Sequence, residues 1–397
     1  MDHERNAMPD RIRERIERNE KLYLDRFQGC LVGGAAGDAL GYAVEFMDWD
    51  QIRAKHGPDG IASYELDPRT GLAPVSDDTQ MTLFTAAAML VGSTRQHLRG
   101  ISGNPACYAA YTYRDWLYTQ DQTFADARGE TWLSEVPELY ALRAPGNTCM
   151  SAIRTGCEGT MERPANWSKG CGGVMRVAPV GLFYDSPEEM AMWAAECAAL
   201  THGHPLGYIP AAGLAYMVCR CSHEVRDGDS AVSRSIEGIA RECAEALPRL
   251  FPEHPNASAY TGELVLRACA LACGDSPDPD SIARIGRGWV GEEALAIAVF
   301  SAVRHAGDFG AAIRSAANHS GDSDSTASIC GNIVGAATGL SSIGEEWTRD
   351  LELRDVILEV ARDLCDDCPM EEWEPYRDER WLSKYAEGGK LKRRKKS

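Results

Sequence analysis

The stretch LVGGAAGDALGYAVEF, residues 31–46, places Gly33, Gly37 and Gly41 four apart among alanines and long aliphatic residues. Four residues is just over one helical turn, so the three glycines fall on one face of a helix. Each costs about 1 kcal/mol of helix propensity against alanine, and the return for such a stripe is close approach of a second helix backbone. A matching stripe, Gly331, Gly335 and Gly339, runs through STASICGNIVGAATGL, residues 325–340.

Outward from these two segments the same three- and four-residue spacing recurs. DDTQMTLFTAAAMLVG, EEMAMWAAECAALTH, YIPAAGLAYMVCRC, SRSIEGIARECAEALPRL and EEALAIAVFSAVRH all carry apolar or small residues at helical period. Alternating strands are scarce. The best candidate, MRVAPVGLFY at 175–184, contains a proline that argues against a central strand. The expected fold is all-α, a compact multi-helix domain over 27–345. Three regions read as peripheral: a charged extension at 1–26, an insertion at about 93–145, and an acidic, tryptophan-bearing segment at 346–397 that ends in the basic run KLKRRKKS.

The balance of 41 basic against 59 acidic residues, a formal charge of −18, argues against a nucleic-acid groove. No secretory leader and no run of about 18 apolar residues is present, so a cytoplasmic chain without a membrane span is expected. Fourteen cysteines then read as reduced, mostly core residues. The one Cys-x-x-Cys, Cys365 to Cys368, lacks the second pair that a zinc site needs.

Chemistry concentrates in a few places. Ser76, Asp77, Asp78 and Thr79 stand just before an apolar helix, where one acidic residue is explained as a cap. Two adjacent carboxylates repel unless a cation lies between them, so the doubled aspartate asks for more than capping. Asp322, Asp324, Ser325 and Thr326 repeat the same grammar before the second glycine-striped helix. Together they would make an all-oxygen site of the kind that suits Mg²⁺, Mn²⁺ or Ca²⁺. On residue types alone a shared two-metal site and two separate caps are equally good readings. Asp38 and Glu45, seven apart on one helical face, read either as an internal cap and an exposed helix end, or with Glu45 as a base or metal ligand at a cavity mouth. The glycine-rich loops APGNTCMSAI and SKGCGGVMRVAP offer clustered backbone amides to a phosphate or ribose, and neither is a Walker loop or a dinucleotide fingerprint. His202 and His204 sit at a helix end, where capping or packing is the ordinary role.

These pieces, in this order, resemble the ADP-ribosylglycohydrolase family. The resemblance is carried by GDALGYAVEF, SDDTQMTLF, GNTCMSA, GCGGVMRVAPVGLFY, THGHPLGY and GDSDSTASICGNIVGA, from about residue 27 to 340. It implies an all-α fold with a binuclear Mg²⁺ or Mn²⁺ cleft. By motif position the metal ligands would be Ser76, Asp77, Asp78, Asp322, Asp324 and Ser325, and Glu45, Asp77, Asp78 and Asp324 would be the catalytic carboxylates. Gly146, Asn147, Thr148, Ser151, Gly172, Gly173, Met175, Arg176 and His202 would surround the ribose and diphosphate. The implied reaction is hydrolysis of the bond joining ADP-ribose to a protein side chain, arginine first, with serine or a small molecule as the alternative. The partners would be ADP-ribosylated protein and ADP-ribose, with no membrane and no nucleic acid. A different class of reading is an immunity protein that neutralises an ADP-ribosyltransferase toxin with the help of residues 1–26. A catalytically silent relative is disfavoured by the intact acidic sets.

Overall fold

The computed structural model describes residues 8–126, 129–223 and 235–386. Among them are seventeen α-helices and no strand. In chain order these are α1 (Asp10–Tyr42), α2 (Trp49–His56), α3 (Asp77–Arg99), α4 (Pro105–Asp121), α5 (Asn147–Arg154), α6 (Ala178–Phe183), α7 (Pro187–Ala199) and α8 (Pro205–Ser222). They continue as α9 (Ile236–Leu250), α10 (Pro255–Ala272), α11 (Asp278–Ala283), α12 (Gly291–Arg304), α13 (Phe309–Ala317), α14 (Ser323–Thr338), α15 (Glu345–Thr348), α16 (Arg354–Asp366) and α17 (Glu379–Tyr385). The proline segment at 175–184 is helical, not extended: Pro179 falls in the first turn of α6, where its missing N–H costs nothing.

The two glycine stripes meet. A Cβ on Gly29 would lie 2.5 Å from the Gly335 carbonyl oxygen, one on Gly33 2.5 Å from Gly331 O, one on Gly37 2.0 Å from Ala327 O and one on Gly41 2.2 Å from Ser323 O. Residue numbers rise on α1 as they fall on α14, so the helices are antiparallel and in contact backbone to backbone from Gly29 to Gly41. The Asn332 amide adds a bond to the Cys30 carbonyl at 2.8 Å. This pair is the spine of the fold, with α16 along α1 and with α12 and α13 along α14. A second layer, α7 to α10, packs around the fully buried α8 residues Tyr208, Leu214 and Val218.

No break falls at residue 26. α1 runs without interruption for 33 residues, and its charged first half grips the C-terminal region. Arg15 donates to the carbonyls of Asp366 and Cys368 at 2.8 and 2.7 Å, and Asn19 donates to that of Cys365 at 3.1 Å. The segment on which the toxin-binding reading rested is therefore, from residue 10 on, engaged within the domain. Nor is the chain beyond 345 peripheral: Ala73 N donates to Asp350 O at 2.7 Å and Glu352 N to Ala73 O at 3.1 Å, tying it to the approach to α3. From the insertion, α4 sends Tyr113 and Trp116 into the core. Residues 1–7 and the basic run at 390–397 lie outside the described residues. All fourteen cysteines are free, and burial raises the pKa of both Cys365 and Cys368.

Candidate functional site

At the start of α3 the capping is done by residues other than the doubled aspartate. Ser76 is the N-cap, its hydroxyl accepting from Asp78 N at 3.2 Å. Asp38, one residue beyond Gly37 on α1, accepts from Ser76 N at 3.0 Å and Thr79 N at 3.1 Å, and from the Thr79 hydroxyl. The internal capping role expected for Asp38 is what the structure contains. Asp77 and Asp78 are left with carboxylates not spent on the helix end. Asp77 receives Gly146 N at 3.3 Å, and Asp78 Oδ2 is buried with no partner.

The start of α14 lies against the end of α1 because the glycine register puts Ser323 beside Gly41. Asp322 occupies the N-cap position, but its side chain makes no cap bond. Its Oδ2 instead accepts the Cys171 thiol at 2.7 Å, while its own N–H is held by the Arg287 carbonyl at 2.8 Å. Asp324 lies beside Asp322, each carboxyl perturbing the other, and Ser325 lies between Asp78 and the Cys171 sulfur, 3.7 Å from the latter. Cys171 was not singled out by the sequence, where it reads as one more small residue in a glycine loop.

Glu45 is not at an exposed helix end. It is only 8% exposed, and its Oε2 is buried without a partner. Burial first, then the charges of Asp322, Asp77 and Asp38, push its pKa up to about 8. Asp77 is raised by burial against the opposing Gly146 amide, with Asp38 and Asp322 adding to the rise. Burial also raises Asp78, with Asp38, Asp77 and Asp322 as further causes, and raises Asp324, with Asp78, Asp322 and Glu45 adding to it. Two acidic sets distant in sequence thus share one buried space.

A space this crowded with carboxylates fits a divalent cation. The donors are oxygens, two of them are orphaned, and the mutual repulsion is what a positive charge would relieve. Among the described residues, no three His, Cys, Asp or Glu side chains already surround one point at ligand distance. The carboxylates bond to one another, to Cys171 and to Gly146 instead.

The two glycine loops border the acidic set. Cys171 N donates to Trp289 O at 3.3 Å, Gly291 N donates to Lys169 O at 2.9 Å, and Gly146 N reaches Asp77. Gly172 is tightly enclosed: a Cβ would stand 3.0 Å from both His202 Cε1 and Cys149 Sγ, so either side chain would have to give by a few tenths of an ångström. His202 is buried under this turn with Nδ1 2.8 Å from the Thr201 hydroxyl, and burial, then the Arg176 charge, lowers its pKa to about 3. Arg176 is fully buried beneath the loops, donating to Thr201 at 2.7 Å and to the Tyr113 hydroxyl at 3.1 Å, with its guanidinium over the Tyr113 ring. Met175 is buried with its sulfur 3.9 Å from the Ser325 hydroxyl, whereas Asn147 and Ser151 are exposed on α5 and Thr148 faces Ser168 at 3.5 Å. A cavity of about 800 Å³ between α3, α4 and α17 is lined by none of these residues.

The chain belongs to the ADP-ribosylglycohydrolase family, whose signature matches residues 19–374. It is an ADP-ribosyl hydrolase by membership of that family. Among curated relatives, human ADP-ribosylhydrolase ARH3 is 25% identical over 359 residues, covering 83% of this chain and 90% of its own. The ADP-ribosyl-[dinitrogen reductase] glycohydrolase of Rhodospirillum rubrum is 24% identical over 349 residues, covering 86% and 94%. A solved structure described as an ADP-ribosylglycohydrolase-related protein complex superposes with a TM-score of 0.57 at 23% identity, over 87% of this chain and 98% of that one, and supports the fold. No helix among the described residues is long and apolar enough to cross a membrane.

Proposed function

We propose that this chain hydrolyses the N-glycosidic bond between ADP-ribose and an arginine side chain of a protein, with two Mg²⁺, or Mn²⁺, held by Ser76, Asp77, Asp78, Asp322, Asp324 and Ser325. The observation that carries this reading is the convergence of two acidic helix starts in one buried space, with Asp78 Oδ2 and Glu45 Oε2 unpartnered. When bound, such cations orient ribose hydroxyls and lower the pKa of an attacking water. The water oxygen bonds to the anomeric carbon as the carbon–nitrogen bond breaks, and its proton passes to the departing guanidine. Glu45, whose Oε2 is buried and unpartnered, moves that proton in this reading. Gly146, Gly172 and Gly173 let the diphosphate and ribose approach backbone amides. His202 stays neutral beneath them, and Arg176 supports the turn from behind.

The test is release of label from arginine- and serine-ADP-ribosylated proteins, with Mg²⁺ and with chelator. The arginine conjugate should be the better substrate, chelator should stop the reaction, and Asp78→Asn and Asp324→Asn should each slow it at least about 100-fold. Unchanged rates in either variant or with chelator would remove the metal mechanism, and preference for serine would remove the assigned linkage.

A further inference from the structure

Phe46 and Trp289 are large aromatic residues left in the open, 74% and 40% exposed, with their rings stacked at 5.9 Å between centroids and 18° between planes. Fully burying side chains of this kind is worth about 1.5–3 kcal/mol each, so an exposed pair held in contact invites a functional account. Their place in the chain supplies it. Phe46 directly follows Glu45, whose buried carboxyl feels the charges of Asp322, Asp77 and Asp38. Trp289 belongs to the loop that positions the other half of that space: its carbonyl accepts Cys171 N at 3.3 Å, and the Arg287 carbonyl two residues before it accepts Asp322 N at 2.8 Å. One exposed ring thus belongs to a segment adjoining each half of the acidic set.

The ligand that suits such a pair is a planar, weakly hydrated cation. Aromatic faces attract cations through their quadrupole, and a guanidinium lies flat on them while keeping its edge free for hydrogen bonds. We infer that Phe46 and Trp289 form the subsite for the guanidinium of the ADP-ribosylated arginine, so that the pair sets the linkage specificity of the reaction proposed above, on which this inference rests. A serine linkage offers neither plane nor charge to stack.

The experiment uses the full chain and two peptides of the same flanking sequence, one ADP-ribosylated on arginine and one on serine. Their affinities are measured with chelator present, so that binding is read whether or not hydrolysis occurs, and KM and kcat are measured with Mg²⁺. Trp289→Leu and Phe46→Leu should each weaken binding of the arginine peptide about tenfold and raise its KM to match, with a smaller effect on the serine peptide. Trp289→Phe should restore most of the loss, and the affinity for free ADP-ribose should stay within about twofold of the parent in every variant. Trp373→Ala, which alters an aromatic residue that is 88% exposed in the C-terminal region, is the control for nonspecific effects. Equal loss for both peptides, parallel loss of ADP-ribose affinity, or no loss in either leucine variant would overturn the assignment. Absence of hydrolysis with the tenfold binding effect intact would overturn the proposed activity instead.

Discussion

Three donors converge on Asp38: the amides of Ser76 and Thr79 and the Thr79 hydroxyl. A buried residue thereby takes over the capping of α3 and leaves two aspartates for other work. Asp38→Ala should lower stability by about 1–3 kcal/mol in denaturant unfolding, because two buried amides lose their acceptor, while Asp38→Asn should cost less. The role was legible as one of two readings, since Asp38 and Glu45 share a helical face. Which of the two was spent internally depended on the neighbour that α1 meets. Cys171 was not legible at all, because a thiol that donates to Asp322 acquires its role only when residues 151 apart in sequence are brought together.

His202 makes a pH prediction at the same scale. Its folded pKa, lowered to about 3, lies below the ordinary value of 6.5, so the unfolded chain takes up a proton that the folded one refuses. Its contribution to stability is full above about pH 6.5 and is lost as pH falls toward 3. His202→Gln should therefore flatten the acid limb of the stability profile by about one proton relative to the parent, as read from unfolding free energies between pH 4 and 7. An unchanged slope would mean that the imidazole is protonated in the fold.

At the scale of elements, the α1–α14 contact sets the site. Backbone contact between the two helices places Asp322 and Asp324 beside the end of α1, so a change of register would separate the acidic halves. Gly331→Ala ought to gain about 1 kcal/mol from helix propensity. Its new methyl would, however, stand 2.0 Å from the Gly33 carbonyl oxygen. We expect a net loss of about 2–3 kcal/mol in thermal or denaturant unfolding, with activity falling as the helices part. A neutral or stabilising outcome would show that the spine has slack. The glycine stripes were readable because their period and their cost are local properties of sequence. The single 33-residue span of α1 was not, since its charged first half resembles a solvated arm and is anchored by carbonyls near residue 366 that no local pattern announces.

For the whole molecule, the repulsion among Asp77, Asp78, Asp322, Asp324 and Glu45 makes cation binding a stability matter. A cation that binds only the folded chain stabilises it by about 2.7 kcal/mol at a free concentration 100 times its Kd. Mg²⁺ should raise the melting temperature by a few degrees, and chelator should reverse the rise. Asp78→Asn should melt higher than the parent in chelator, because a buried carboxyl that must give up its charge on folding is gone, yet lose the response to Mg²⁺. A variant that still responds fully would place the cation elsewhere.

The long-range spine also bears on how the chain is made. Cys30 finds the side-chain amide of Asn332, 302 residues further on. At a synthesis rate of about 5–20 residues per second, the bare face of α1 waits on the order of 15–60 seconds for the helix that covers it. Until then its glycine and alanine surface is open to wrong partners, so folding of the spine and closure of the acidic site come late in biosynthesis and together. Yield in the cell should be governed by how well that delay is chaperoned as much as by the stability of the finished fold.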